Sequence, residues 1–264
     1  MKYSLSGRQS GLYLKKADEI IVQHNDYRII TDYFVDYPET MIILDIPNDK
    51  LEELKPIALQ YSQISQNFCC CIYNLREAIW FKMNNIKFYY GYSISTYYDV
   101  QGLVDLGAEY VKIIAPLTFN IPALTRFNTK FRMVPNVAYD AYIPRADGIC
   151  GQWVRPEDVK YYEDGIYVFD FEDADLEKER TLHRIYAENG TWPGNLNLLF
   201  TNFEVNADNR GLPEEIGLYR STCRQRCMQS GVCHFCQTAF QFEKTIRKNR
   251  DTLKEQIARQ KEQI

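Results

Sequence analysis

"MIILDIPNDKLEELKPIALQYSQISQNFCCCI" (residues 41–72) contains two apolar runs separated by a helical pattern. The runs Met41–Ile46 and Phe68–Ile72 are short and continuously apolar, which is typical of strands covered on both faces. A helix is predicted over Asp49–Gln63, because its apolar residues recur at three- and four-residue spacing. A strand–helix–strand unit of this kind predicts two parallel strands joined by a right-handed crossover.

The same alternation extends through most of the chain and predicts the fold class. Seven strands are predicted: Glu19–Gln23, Met41–Ile46, Phe68–Ile72, Lys87–Ile94, Tyr110–Ile114, Lys130–Val134 and Ile166–Glu172. With one further strand of uncertain position, this number favours an α/β fold, a (β/α) TIM-like barrel that is complete or degenerate, over an open sheet.

The composition limits the class of protein. The chain has 264 residues, of which 45% are apolar and 25% charged, as in ordinary globular proteins. A net charge of -4 argues against a generally basic nucleic-acid binder. The first residues lack the apolar core of a signal peptide, and no apolar run has the length of a membrane helix. We therefore expect a cytoplasmic protein without membrane association.

In a barrel of this type, functional side chains collect at the C-terminal ends of the strands. The predicted rim comprises His24, Asn25, Asp26, Asp45, Tyr73, Asn74, Ser93, Asn136, and Asp170 or Glu172.

Four cysteines near the end of the chain predict a metal site. Cys223, Cys227, Cys233 and Cys236 have the spacing C-x3-C-x5-C-x2-C. Disulfides are disfavoured because thiols stay reduced in the cytoplasm. Four thiolates suit both tetrahedral zinc and an iron–sulfur cluster, and the spacing alone does not separate the two.

The other cysteines are interpreted differently. Consecutive strand residues point to opposite faces, so at most Cys69 and Cys71 share a side, and filling of the core is the favoured interpretation of Cys69–Cys71. Cys150 is either a fifth thiol at the rim or a plain loop residue.

The domain organisation follows from these patterns. The barrel is predicted over residues 1–220, the cysteine-rich metal-binding segment over 221–240 and a C-terminal helix over 241–264. The stretch Phe242–Ile264 has seven Lys or Arg against four Asp or Glu, with a thin apolar stripe. The helix is either docked on the barrel and otherwise solvated, or forms a partner or nucleic-acid contact.

Several motifs in a fixed order resemble one known family. They are "VPN" at Val134–Asn136, "GQWVRPEDVKYYEDGIYVFDFED" at Gly151–Asp173, "YAENGTWPGNL" at Tyr186–Leu196 and the cysteine group Cys223–Cys236. Over residues from about 100 to 240 the chain resembles the collagenase-like peptidase family U-32. The resemblance implies a (β/α) barrel with a [4Fe–4S] cluster near its C-terminal mouth. Some members of that family are oxygen-independent hydroxylases of RNA bases or of ubiquinone precursors, rather than peptidases.

The chain departs from the family pattern at two places. Val137, Ala138 and Tyr139 follow Asn136, where the family usually has a cysteine. Asp170 and Glu172 occupy a region where relatives tend to have a basic K-x-x-G-R stretch. Substrate binding is therefore expected to differ from that of the better-known members.

The predicted catalytic residues are His24, Arg155, Asp170 and Glu172. His24 is a candidate acid or base, and the alternative is a surface histidine after a strand. Arg155 is expected either to bind a carboxylate or phosphate through both branches of its guanidinium group, or to pair with the neighbouring acids Glu157 and Asp158.

The predicted substrate-binding residues are Asn136, Trp153 and Trp192. The two tryptophans are candidates for stacking on a ring, and packing in the core is the alternative.

Three functional hypotheses follow. The first is an iron–sulfur oxidoreductase or hydroxylase-like barrel that acts on an RNA base or a small aromatic metabolite. The second is a non-catalytic barrel stabilised by zinc, which serves as a binding or assembly module. Peptidase activity is the third, and only the name of the family supports it.

Overall fold

Eight parallel strands close into a barrel in a computed structural model of the chain. The structure describes residues 1–114, 117–135, 154–171, 175–194, 196–199, 209–212 and 216–222. The strands are β1 Lys2–Ser6, β2 Glu19–Gln23, β3 Met41–Ile46, β4 Phe68–Ile72, β5 Phe88–Ile94, β6 Tyr110–Ile113, β7 Lys130–Met133 and β8 Val168–Phe169. Each pairs in parallel with its sequence neighbours, and β1 pairs with β8, so the predicted TIM-like barrel is confirmed.

Short helices follow most of the strands. The α-helices in the described part of the chain are α1 Gly11–Leu14, α2 Ile30–Asp36, α3 Leu51–Ile64, α4 Ala78–Met83, α5 Tyr97–Leu106, α6 Ile121–Leu124, α7 Leu176–His183 and α8 Ile216–Ser221. One π-helical turn, Arg184–Asn189, continues α7. Single 3-10 turns lie at His24–Ile29, Asn48–Lys50, Leu75–Glu77, Leu117–Phe119, Pro156–Tyr161, Leu196–Leu199 and Asn209–Gly211. No helix among the described residues is both long and apolar enough to cross a membrane.

The strand that the sequence pattern left unplaced is β1, "KYSLS". It alternates between apolar and small polar residues, whereas the seven predicted strands are mostly continuous apolar runs. Ser4 lies inside the barrel, where its hydroxyl donates a hydrogen bond to the Asp170 carboxylate. The strand was missed because its inward face lines a polar site instead of a hydrophobic core.

Two apolar layers lie on either side of the strands. The inner layer is the barrel interior, where Cys69 and Cys71 pack with Ile43, Tyr89 and Tyr110. The outer layer, between strands and helices, contains Cys70. The prediction that Cys69–Cys71 fill the core with alternating orientation is confirmed, and all three are free thiols.

Helix α5 shows how local sequence sets the boundaries of an element. Thr96 caps its start by accepting a hydrogen bond from the Asp99 N–H at 3.1 Å. Gly107 ends it with a φ of 84°, a left-handed conformation that glycine adopts at no steric cost. The predicted helix stop at Gly107, followed at once by β6, is confirmed.

Candidate functional site

A buried cluster of charges lies inside the barrel. Arg132 on β7 is completely buried, and its Nε and Nη2 atoms donate to the Asp170 carboxylate at 2.9 and 2.6 Å. Nη2 also donates to Glu19 at 3.1 Å. The guanidinium group stacks on the Tyr89 ring, 4.2 Å from its centroid. The two-branched pairing locks the orientation of Asp170.

The pKa directions of the two acids follow from this geometry. Burial alone would raise the pKa of Asp170, but the adjacent Arg132 guanidinium holds it below the usual value. Burial raises the pKa of Glu19, and Arg132 offsets this effect only in part because its strongest contacts go to Asp170. The pKa values of the two acids are therefore shifted in opposite directions, downward for Asp170 and upward for Glu19.

A polar cavity of about 210 Å³ lies at the C-terminal ends of the strands. Its wall is formed by Ser4, Ser6, Ile21, Gln23, Asp45, Cys71, Tyr73, Tyr89, Gly91, Lys112, Asp170, Phe171 and Glu179. Successive strands contribute these residues from their inward faces, because every second side chain of a strand points to the same side. The position matches the face of the barrel on which active sites are built.

Lys112 and Glu179 place opposite charges in the wall. Lys112 on β6 is only 4% exposed, and its charge lowers the pKa of the neighbouring Asp170. Glu179 on α7 accepts a hydrogen bond from the Ser6 N–H at 2.6 Å and another from the Gln9 side chain. Burial raises the pKa of Glu179. These contacts fasten α7 to the start of the chain and hold its carboxylate in the cavity wall.

Asp45, Tyr73 and Cys71 form another part of the wall. The Tyr73 hydroxyl lies beside both the Cys71 thiol and the Asp45 carboxylate. The Asp45 Oδ1 atom is buried and has no hydrogen-bond partner within the part of the chain that the structure describes. Burial raises the pKa of Cys71 to about 12, so this thiol stays protonated at neutral pH.

The raised pKa of Cys71 predicts a loss of stability at alkaline pH. The unfolded thiol ionises near its ordinary pKa of 9.0, whereas the folded thiol holds its proton up to about 12. The contribution of Cys71 to the free energy of unfolding is therefore complete below pH 9 and is lost as the pH rises through 12. Urea unfolding at pH 8, 9.5 and 11 should show this decline, and the decline should be shallower in Cys71→Ala. An identical pH dependence in the two proteins would contradict the assignment.

Gly91 keeps the cavity open. A Cβ atom at this position would lie 2.3 Å from Cε1 of Tyr73 and 2.8 Å from Sγ of Cys71. Both distances are shorter than a van der Waals contact, so a side chain here would displace the Tyr73 ring or the strand.

The predicted catalytic residues are not all brought together. Asp170 lines the cavity. His24 is half-buried in the turn that follows β2, and Arg155 forms a buried two-branched ion pair with Asp158 at 2.6 and 2.7 Å; neither lines the cavity. The ion-pair interpretation of Arg155 is thus the one seen, with Asp158 as its partner. Glu172 lies outside the described residues.

The other predicted rim, substrate-binding and metal-binding residues also differ in whether they line the cavity. Of the predicted rim, Asp45 and Tyr73 line the cavity, whereas Asn25, Asp26, Asn74 and Ser93 do not. The partly buried Trp192 packs against the main core, as its alternative interpretation proposed. Outside the described residues lie Asn136, Trp153, Cys150, Cys223, Cys227, Cys233, Cys236 and the predicted C-terminal helix.

Sequence reasoning missed most of the cavity wall, including Lys112, Gln23, Gly91 and Glu179. One feature of the sequence could have indicated part of this wall. Glu19 begins one otherwise apolar strand run, and Lys112 and Arg132 each interrupt another. A charged residue at such a position must either face an end of the barrel or pair inside it.

Comparison with known proteins adds little to this geometry. No protein-family model matches the chain, and no curated protein matches it significantly. A solved structure described as a "cube-shaped, highly porous protein cage designed by fusing symmetric oligomeric domains" aligns over 99% of this chain and 81% of its own. Its TM-score is 0.38 at 11% sequence identity, a level that carries no inference about function.

Proposed function

We propose that this protein is an enzyme, an iron–sulfur oxidoreductase whose active site is the polar cavity at the C-terminal mouth of the barrel. The substrate is a single ring, from an RNA base or from a small aromatic metabolite. The observation that carries the proposal is the concave, partly open cavity whose wall contains Lys112, Asp45 and the Arg132-bound Asp170. Charged groups held rigidly in a concave site are the usual basis of catalysis.

The cavity volume sets the size of the ligand. A cavity of about 150 Å³ in a protein core accommodates benzene. The volume of about 210 Å³ therefore suits one substituted ring.

The chain's own residues supply binding and acid–base chemistry. Lys112 places a positive charge in the wall, whereas Asp45 offers a carboxylate beside the Tyr73 hydroxyl. Arg132 keeps Asp170 ionised and correctly oriented. A substrate proton therefore has both a donor and an acceptor within one small site.

The redox part of the proposal depends on the four thiols of Cys223, Cys227, Cys233 and Cys236. Their donor set fits a [4Fe–4S] cluster, which supplies single electrons when bound. The same donor set fits tetrahedral zinc, which would instead favour the non-catalytic hypothesis.

Metal analysis separates the two hypotheses. After anaerobic purification, we expect broad visible absorption and about four iron atoms per chain. Cys233→Ser should lose this metal, whereas Cys70→Ser should retain it, because Cys70 is a buried core residue on the outer face of β4. Far-UV circular dichroism checks that both variants are folded. One zinc per colourless chain, or equal metal content in the two variants, would overturn the redox proposal.

A further inference from the structure

We propose that Gln23 determines which ring compounds the cavity binds. The group that it recognises is a neutral amide edge, an N–H group beside a C=O group, as in an aromatic carboxamide or a lactam. This inference rests on the proposed function in one respect, namely that the cavity is the substrate site. It adds the substrate group that is recognised and the residue that recognises it.

The position of Gln23 on β2 directs its side chain into the cavity. Glu19 and Ile21 precede it at two-residue spacing and therefore share its face of the strand. Glu19 pairs with Arg132 in the barrel interior, and Ile21 packs against the inner apolar layer. Gln23 is the next inward residue and lines the cavity at the C-terminal end of β2. Its side chain therefore belongs to the cavity wall and not to the outer layer of the barrel.

The side-chain amide of Gln23 is accessible and makes no hydrogen bond within the described part of the chain. It does not cap the 3-10 turn that follows β2. Its nitrogen and oxygen are not among the buried side-chain atoms that lack a partner, so a ligand can reach them. By contrast, the carboxylates of Asp170 and Glu179 already accept hydrogen bonds from neighbouring residues. Gln23 thus offers one donor group and one acceptor to a molecule in the cavity.

A primary amide recognises an amide edge through two hydrogen bonds at once. The Gln23 Nε2 group donates to the ligand carbonyl while the Oε1 atom accepts from the ligand N–H group. Glutamine reads the adjacent donor and acceptor of adenine in DNA by the same two-point contact. An ester lacks the N–H group, and a carboxylate offers two acceptors and no donor. Neither of these groups can therefore satisfy both atoms of the Gln23 amide.

Other residues of the wall provide partners for the rest of the ring. Ser6 lies on the adjacent strand β1, and its Oγ atom accepts from the Arg8 N–H at 3.3 Å. The Ser6 hydroxyl proton goes to no acceptor among the described residues, so it can be donated to a second polar atom of the ring. Ile21, Tyr73 and Phe171 also line the cavity. They supply apolar surface for the faces of a ring, as in most small-molecule sites.

The experiment compares pairs of ligands that differ in the N–H group. Benzamide is paired with methyl benzoate, and 2-pyridone is paired with 1-methyl-2-pyridone. Each compound is titrated into the anaerobically purified full chain and followed by ligand-observed NMR. We expect each amide with an N–H group to bind at least about tenfold more tightly than its partner, which corresponds to about 1.4 kcal/mol. The tighter of benzamide and 2-pyridone identifies a carboxamide or a lactam as the form that is bound.

Matched variants assign the selectivity to Gln23. Gln23→Met has an unbranched side chain of similar length without an amide, and Gln23→Leu is a second variant. Both should weaken benzamide binding at least about tenfold and change methyl benzoate binding by no more than about twofold. The control is Gln60→Met, the same change at an exposed position on α3, and it should retain wild-type binding of every ligand. Far-UV circular dichroism checks that the variants are folded.

The possible failures are distinguishable. If the rings bind but the N–H group gives no advantage in either pair, the amide inference is wrong and the proposed active site stands. The same holds if the advantage of benzamide survives in folded Gln23→Met or Gln23→Leu. Absence of saturable binding by all four compounds overturns both the inference and the cavity as the substrate site.

Discussion

The variant Arg132→Leu is expected to lose about 3–5 kcal/mol of unfolding free energy, because removal of one partner leaves buried charge uncompensated. Asp170 and Glu19 would both remain in the barrel interior without their shared cation. The pKa of Asp170 would rise above its usual value, because burial would no longer be opposed by the guanidinium group. Urea unfolding followed by circular dichroism measures the change.

Lys130→Leu is the matched control for Arg132→Leu. Lys130 lies two residues earlier on the same strand and pairs with Glu109, but its side chain is 44% exposed. A solvent-exposed pair of this kind contributes about 1 kcal/mol or less. Arg132→Lys keeps the charge but loses the two-branched geometry. Its loss of unfolding free energy should lie between the losses of Arg132→Leu and Lys130→Leu. Equal losses in Arg132→Leu and Lys130→Leu would show that the buried cluster has no special role.

The variant Gly91→Ala is expected to eliminate ligand binding in the cavity and to destabilise the fold by about 1–3 kcal/mol. The added methyl group would overlap the Tyr73 ring and the Cys71 sulfur, both of which are packed against other side chains. The simplest relief is a rotation of Tyr73 into the cavity, which removes the space that a ring substrate needs. Urea unfolding measures the loss of stability, and ligand-observed NMR with a small ring compound such as benzyl alcohol measures the loss of binding.

Gly102→Ala is the control for Gly91→Ala. Gly102 lies inside α5, and a Cβ atom there would have no neighbour within 4 Å. Alanine in the middle of a helix should therefore stabilise the protein by about 0.5–1 kcal/mol and leave ligand binding unchanged. If Gly91→Ala behaves in the same way as Gly102→Ala, Gly91 does not control the cavity.

Some residues of the site can be predicted from the sequence and others cannot, for a physical reason. Asp45, Tyr73 and Asp170 were expected at the rim, because each lies at or just beyond the end of a recognisable apolar strand. Glu179 lies on a helix, and nothing in the local sequence indicates that its side chain reaches β1. Such a contact depends on how α7 packs against the first strand, and that packing is not encoded in local periodicity.

Arg132 illustrates the same limit within the barrel. A single arginine in the run "KFRMV" is compatible with a barrel end, an edge strand or an internal ion pair. Its partners Asp170 and Glu19 lie 38 and 113 residues away in the sequence. The pairing of β7 with β8 brings Arg132 next to Asp170, and closure of the sheet between β1 and β8 brings it next to Glu19. The cost of burying each charge then requires the pairing.

The sequence by itself determined the strand–helix alternation, the parallel barrel and the burial of Cys69–Cys71, because these depend on periodicities of two and 3.6 residues that short segments carry. Only the tertiary structure decided that Ser4 lines the cavity and that Arg132 locks Asp170. These contacts depend on which inward-facing residues meet after the barrel closes, and the free energy of desolvating their charges selects the partners.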